Sequence, residues 1–301
     1  MAMNYAKKVD FFLFLTCVMM SMCEGKSIEV QGHRGARGIM LENTLPAFKS
    51  AIEIGVDELE LDLVITKDGE LVIFHDFFIN PEICTNFDGT SVCFHGPLIY
   101  SLFLDQVKQF KYKQNQQFPR QVFIPETQIP TLQELFTMIL TSSHPHAKKI
   151  RLNLELKRDP NHPEYTPSAS LFAKKVIDLV KENQFSKRVY YSSFDTELLS
   201  EVRKIDPEAM IGYLKEGDLE GFIEKTIELK ADIVSPEHIL LTNADFVHFF
   251  KERGIKVIPW TINHTCRVME LVEMGVDGII TDYPEEVIKF LEENNLRHTH
   301  D

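Results

Sequence analysis

Two stretches of the chain alternate cleanly between polar and apolar residues. Glu58-Leu59-Glu60-Leu61-Asp62-Leu63-Val64-Ile65 has the period of two that a β-strand imposes, in which residues i and i+2 share a face. Leu59, Leu61 and Leu63 fall on one side, and Glu58, Glu60 and Asp62 on the other. Ile150-Arg151-Leu152-Asn153-Leu154-Glu155-Leu156-Lys157 groups Asn153, Glu155 and Lys157 in the same way. A solvated strand face accounts for such a pattern. So does a set of carboxylates converging on a divalent cation, since hard cations take oxygen ligands.

The rest of the chain supplies a frame for these two strands. A short strand at about 28–31 leads into His33, and a strand at 70–74 leads into His75 after the turn Lys67-Asp68-Gly69. Between them Leu45, Phe48 and Ile52 form a helical stripe, with Asn43 or Thr44 as N-cap, Pro46 in the first turn and Gly55 as the stop. From 77 to 130 the pattern breaks into turn signals, Asn80-Pro81, Asp88-Gly89 and Gly96-Pro97. The stretch is too long for a plain connection and reads as an insertion with a function. Thr131-Leu132-Gln133-Glu134 is a capping box that opens the next helix. Beyond it, helices at 168–182, 196–204, 219–229, 244–253, 266–274 and 285–293 alternate with strands at 188–192, 209–214, 232–234, 256–260 and 278–281. With the three earlier strands this makes about eight strand–helix units, and the regular alternation predicts a parallel sheet closed as a (β/α)8 barrel. An open doubly wound sheet is the alternative, but no glycine-rich phosphate loop of the dinucleotide or P-loop type is present.

Composition changes this picture little. With 44% hydrophobic and 26% charged residues the chain suits one ordinary globular domain. The formal net charge of -13 argues against a nucleic-acid partner, which needs basic patches. An anionic small molecule is still compatible, because a bound cation with Arg34 and Lys157 inverts the local field. At the N-terminus, Lys7 and Lys8 precede the apolar run Phe11–Met20, which has the length of an export signal and is short for a membrane span. Residues 1–26 are therefore expected to be a leader, and the protein periplasmic or secreted. An uncleaved anchor and lipid attachment near Cys23 are the alternatives. No stable membrane insertion of the mature domain is expected. No zinc spacing links the five cysteines. In an exported protein, Cys84 and Cys93 are candidates for a disulfide, and Cys266 for a free thiol.

In a barrel of this type, reactive groups sit at the C-terminal ends of the strands. His33, Glu60, Asp62, Glu155, Lys157 and Trp260 all fall there. The motifs His33-Arg34-Gly35, Glu42-Asn43-Thr44 with Ala47-Phe48, Glu60-Leu61-Asp62, Thr66-Lys67-Asp68-Gly69 and His75-Asp76 follow in order. Asn153-x-Glu155-x-Lys157, Pro259–Asn263 and Thr281-Asp282-Tyr283-Pro284 continue the series. Together they resemble the glycerophosphodiester phosphodiesterase family. The resemblance implies a (β/α)8 barrel over 27–294, an insertion at 77–130 that overhangs the site, and a short tail at 295–301. It implies that Glu60, Asp62 and Glu155 hold one divalent cation, Ca2+ or Mg2+, and that His33 and His75 act as acid and base. Arg34 and Lys157 are expected to face the phosphate, Trp260 to wall the substrate's alcohol, and Glu42 to lie against the substrate. Ser192, Ser193 and Phe194 are expected to shape the pocket. The remaining histidines (His95, His144, His146, His162, His238, His248, His264, His298 and His300) fit no motif.

The activity so implied is metal-dependent hydrolysis of a small-molecule glycerophosphodiester to sn-glycerol 3-phosphate and an alcohol. A lysophospholipase D acting on lipid-tailed diesters would use the same residues and would need an apolar face near the insertion, where Phe77, Phe78, Phe87, Phe94 and Leu98 stand. A non-catalytic binding protein on the same fold is the third reading, and it leaves the filled motif positions without a purpose. No serine or cysteine pairs with a histidine in any motif, so an enzyme-bound phosphoryl intermediate is not indicated. The attacking group is then water or the substrate's own hydroxyl, and the resemblance favours the hydroxyl.

Overall fold

In the computed structural model, which describes residues 27–297, every residue of the Glu58–Ile65 strand is buried, including its acids. The polar face therefore turns into the barrel and not toward water. The leader, the tip of the tail, His298 and His300 lie outside the described residues. In chain order the first elements are β1 (Glu29–Gly32), α1 (Leu45–Ile54), β2 (Glu58–Ile65) and β3 (Leu71–Ile73). The segment 77–130 contributes β4 (Cys84–Thr85), α2 (Leu104–Val107) and β5 (Lys111–Tyr112). After it come α3 (Leu132–Thr141), β6 (Arg151–Leu156), α4 (Ala169–Glu182), β7 (Val189–Ser193), α5 (Thr196–Ile205), β8 (Ile211–Lys215), α6 (Phe222–Leu229) and β9 (Ile233–Pro236). The last are α7 (Ala244–Lys251), β10 (Lys256–Val257), α8 (Thr265–Met274), β11 (Gly278–Thr281) and α9 (Pro284–Glu293).

The main sheet runs β10-β9-β8-β7-β6-β2-β1-β11, with parallel pairing throughout, and β3 folds back antiparallel on β2. Eight parallel strands thus form the barrel predicted from the alternation. The seam between β10 and β11 is carried by single bonds, Asp277 N–H to the Val257 carbonyl and Ile280 N–H to the Pro259 carbonyl, at 2.9 and 3.1 Å. The strand expected over 256–260 is cut to two residues because Pro259 has no N–H to give a ladder. Helix 219–229 starts instead at Phe222, after Gly221 at φ 66, and helix 244–253 ends at Lys251.

Leu59, Leu61 and Leu63 pack outward into the main core, with Phe48 and Ile52 of α1 and Leu135 and Phe136 of α3. Both of those helices are capped as expected. Thr44 accepts from Ala47 N–H, and Thr131 and Glu134 close the capping box. The 77–130 segment has a small core of its own against the outer end of β2 and β3, built from Val64, Val72, Phe74, Ile79, Ile83 and Ile99. Here one expectation is corrected: Cys84 and Cys93 are both free. Cys84 is drawn into this small core, where burial pushes its thiol up, while Cys93 faces solvent. Among the described residues, no helix is long and apolar enough to cross a membrane.

Candidate active site

At the end of β1 the chain turns directly into the barrel mouth. Gly35 makes that turn at φ +89, where a Cβ would lie 2.8 Å from the Ala47 carbonyl carbon. Arg34 takes φ 49 and Asn43 takes φ 55, left-handed conformations that cost about 1–3 kcal/mol each in residues other than glycine. Both are held by acids from β2. Arg34 N–H donates to Glu60 Oε2 at 2.8 Å, and the Asn43 amide donates to Asp62 Oδ2 at 2.8 Å. The strain is the local cost of bringing the first loop down onto the carboxylates.

The acids converge because of ladder register. Glu60 pairs with Asn153 and Asp62 with Glu155 across β2 and β6, so the inward layer at the mouth is acidic. One ligand oxygen from each of Glu60, Asp62 and Glu155 lies within 4.8 Å of the others. Burial, then Asp62 and Glu155, push Glu60 well above the ordinary carboxylate range. Burial would push Asp62 up as well, but Arg34, His75 and Lys157 and the Asn43 amide outweigh it and hold Asp62 below that range. An all-oxygen set of close carboxylates, one of them destabilised by its neighbours, fits a hard divalent cation. Lys157 Nζ stands beside the trio, 2.7 Å from Glu155 Oε1 and 3.6 Å from Asp62 Oδ1, and those two acids keep it charged against the cost of its burial. Arg34 Nε, buried among the same acids, makes no well-aligned hydrogen bond but lies 3.3 Å from Asp62 Oδ2.

Each histidine has a carboxylate behind it. His33 Nδ1 is 2.7 Å from Asp282 Oδ1, and His75 Nδ1 is 2.7 Å from Asp76 Oδ1. Burial lowers His33 despite the nearby Asp282, which favours its neutral form. Asp282 stays charged at about 2, against the cost of its own burial, because His33, Arg37 and the Asn263 amide face it. A charged Asp282 calls for an N–H at His33 Nδ1, and His33 Nε2 then faces the site, 3.9 Å from Glu60 Oε2. Asn80 donates to Asp76 Oδ2 at 2.7 Å and fixes the second pair. Trp260 donates Nε1–H to the Ser235 carbonyl at 2.8 Å and meets Phe194 edge-on at 5.8 Å between ring centroids.

A cavity of about 620 Å3 gathers most of the expected residues: His33, Arg34, Glu60, His75, Glu155, Lys157 and Trp260. Ser192, Ser193 and Phe194 line it too. Asp62 lies beneath the wall, almost fully buried. Glu42 does not line the cavity itself; its Oε1 accepts from Arg34 at 2.6 Å and its Oε2 from Arg37 at 2.8 Å. It thereby ties Arg34 to Arg37 at the edge of the site. Asp282, Asp76, Asn263 and Arg37 were given no role from sequence, and Asn43 only that of a helix cap. The motif Thr281-Asp282-Tyr283-Pro284 at the exit of the last strand was the available signal for the His33 partner.

A (β/α)8 barrel that collects acids, cations and two carboxylate-backed histidines at its mouth is the architecture of a hydrolase for anionic esters. The model of the glycerophosphoryl diester phosphodiesterase family matches residues 33–286, and the chain belongs to that family. It is similar to the glycerophosphodiester phosphodiesterase of Caldanaerobacter subterraneus subsp. tengcongensis, with 31% identity over 268 residues, 87% of this chain and 97% of that one. A lysophospholipase D of Rattus norvegicus is 26% identical over 298 residues, 88% of this chain and 85% of that one. A solved structure from Silicibacter pomeroyi assigned to the same family superposes with a TM-score of 0.85 at 25% identity, covering 92% of this chain and 97% of that chain.

Proposed function

We propose that this chain hydrolyses glycerophosphodiesters to sn-glycerol 3-phosphate and an alcohol. Glu60, Asp62 and Glu155 hold a divalent cation, Ca2+ or Mg2+, and His33 and His75 move the protons. The observation that carries this reading is the acidic trio flanked by two carboxylate-backed histidines on one cavity. When bound, the cation neutralises phosphoryl oxygens and stabilises the charge that builds on them. Arg34 and Lys157 add positive charge at the same place. His33, neutral with Nε2 free, takes the proton from the glycerol 2-hydroxyl. That oxygen attacks phosphorus, the phosphorus–oxygen bond to the alcohol breaks, and His75 protonates the departing alkoxide. Water then opens the cyclic phosphate with the two histidines in exchanged roles. Trp260 and Phe194 wall the leaving alcohol.

Attack by a hydroxyl held beside phosphorus can reach effective molarities on the order of 10⁵ M or more, which is why the substrate's own hydroxyl is preferred to water. The test is turnover of glycerophosphocholine against its 2-deoxy analogue, with product analysis. The expected products are sn-glycerol 3-phosphate and choline. The analogue should inhibit competitively and be cleaved at least about a hundredfold more slowly. Comparable rates would mean that water attacks directly. We further infer that residues 1–26 are an export leader, on the basis of Lys7, Lys8 and the apolar run behind them. N-terminal sequencing of exported protein starting before residue 20 would contradict it.

A further inference from the structure

Branched apolar side chains ordinarily fill the inside of a (β/α)8 barrel. Here the interior between β1, β2, β6 and β7 holds Gln31, Glu58, Asn153, Tyr190 and Ser192, every one of them buried. They form one hydrogen-bonded chain. At the floor of the barrel, Arg151 Nε–H donates to Glu58 Oε1 at 2.6 Å, and the Gln31 amide donates to Glu58 Oε2 at 2.6 Å. Gln31 Oε1 then accepts from the Asn153 amide and from the Tyr190 hydroxyl, both at 3.1 Å. Asn153 Oδ1 in turn accepts from the Ser192 hydroxyl at 2.6 Å. Only the upper end of the chain is open: Asn153 and Ser192 line the cavity at the mouth, whereas Gln31, Glu58 and Tyr190 do not. Ser192 stands level with the acidic trio, because it pairs with Glu155, which pairs with Asp62.

The chain has a direction, and Glu58 sets it. A carboxylate held by an arginine accepts hydrogen bonds and gives none. Gln31 must therefore turn its NH2 to Glu58 and its oxygen upward, Asn153 must follow, and the Ser192 proton is committed to Asn153. Toward the cavity, Ser192 Oγ is left with a lone pair and no hydrogen. We propose that Ser192 Oγ accepts the proton of the substrate glycerol's terminal hydroxyl, and that Glu58, acting through Gln31 and Asn153, is the positioning residue that keeps Ser192 an acceptor. The inference rests on the phosphodiesterase reading above, in which the 2-hydroxyl gives its proton to His33 and the terminal hydroxyl has no assigned partner. An ester or ether at the terminal oxygen has no proton to give and would set one lone pair against another. The site thus selects a glycerol that is unsubstituted at that end, since a site built to bond a substrate hydroxyl rejects analogues that lack it. In Glu58→Gln the direction reverses. The new side-chain oxygen stays on Arg151, its NH2 faces Gln31, and each amide above must turn over, so that the Ser192 proton points into the cavity. Arg151 stays held by Glu29 at 3.0 Å.

The test is calorimetric binding of sn-glycerol 3-phosphate, and of its analogue with fluorine in place of the terminal hydroxyl, to protein loaded with Ca2+ or Mg2+. Measurements are made well above neutral pH, so that Glu58, which burial pushes up to about 7, is ionised. The readout is the ratio of the two Kd values, in which any change in overall charge cancels. The wild type should bind the hydroxyl compound about 5–150-fold more tightly, the span expected when one buried acceptor loses its partner. In Glu58→Gln the ratio should fall toward one while the hydroxyl compound still binds, because a hydroxyl accepts as well as donates. In Ser192→Ala the ratio should also fall, with weaker binding of the hydroxyl compound. A wild-type ratio near one, or an unchanged ratio in a Glu58→Gln protein that melts like the wild type, would overturn the proposal. Should Glu58→Gln fail to fold, a ratio that survives Ser192→Ala overturns it equally. The expected ratios in a protein that turns over no glycerophosphocholine would strike the catalytic reading and leave the Ser192 assignment standing.

Discussion

His33 shows how one side chain is prepared by residues far away in sequence. Its Nδ1 partner Asp282 is 249 positions along the chain, and Asn263 fixes that carboxylate from the preceding loop, donating to Oδ2 at 2.7 Å. Changing His33 or His75 to alanine should lower turnover by about 10²–10⁴ in a protein that still folds, as loss of a positioned acid or base does. Near-normal turnover of folded His75→Ala would remove it from the mechanism. Asp282→Asn should cost about 10–100-fold in kcat with KM little changed, the range seen when a partner behind a functional group is lost. A raised KM with kcat intact would instead make Asp282 a substrate contact. Glu60 gives a pH dependence. Burial and two acids raise its pKa, so in the cation-free protein it holds a proton to higher pH than an ordinary glutamate. A cation must displace that proton, so affinity should strengthen as pH rises and binding should release protons. Calorimetry in buffers of different ionisation enthalpy measures the release. Glu60→Gln should reduce it, and equal release from both proteins would show that the proton comes from elsewhere. The histidines and the trio were legible because polar residues at strand ends stand out against an apolar period. Asp282 stood only within the motif at the exit of the last strand, with nothing to pair it with His33, and sequence does not reveal that Arg34 and Arg37 occupy both Glu42 oxygens.

At the scale of elements, β2 carried the clearest signal and the structure honours it residue by residue. The alternation could not say which face looks inward. That is decided by barrel closure, which buries the acids and turns the leucines toward α1 and α3. Capping was equally readable, since the Thr131–Glu134 box is a local exchange of hydrogen bonds. Thr131→Ala should lower stability by about 1 kcal/mol and leave kcat unchanged. A matching loss of turnover would show that α3 is coupled to the site. Errors fall where long-range pairing decides the length of an element. The β10 ladder stops at Val257, and the chain continues along the barrel only through bonds to its neighbours, such as Trp260 N–H to the Pro236 carbonyl at 3.2 Å. The 77–130 segment was legible as a break in pattern, whereas its small core, and the burial of Cys84 within it, arise from contacts with β2 and β3 that no local period reports.

At the scale of the whole molecule, a chain with a formal net charge of -13 is assigned an anionic substrate. The field at the mouth is what matters. There Arg34 and Lys157 keep their charges against burial, and the acids that would repel a phosphate are turned toward one another. The trio is then useful to an anion only when a cation occupies it, and this is the central claim. Its most direct test is turnover of glycerophosphocholine by protein stripped with a chelator and then titrated with Ca2+ or Mg2+. The account predicts no sn-glycerol 3-phosphate from the stripped protein, recovery on addition of one of the two cations, and no recovery in Glu60→Gln at the same cation concentration. Full turnover by protein shown by elemental analysis to hold no metal would contradict it.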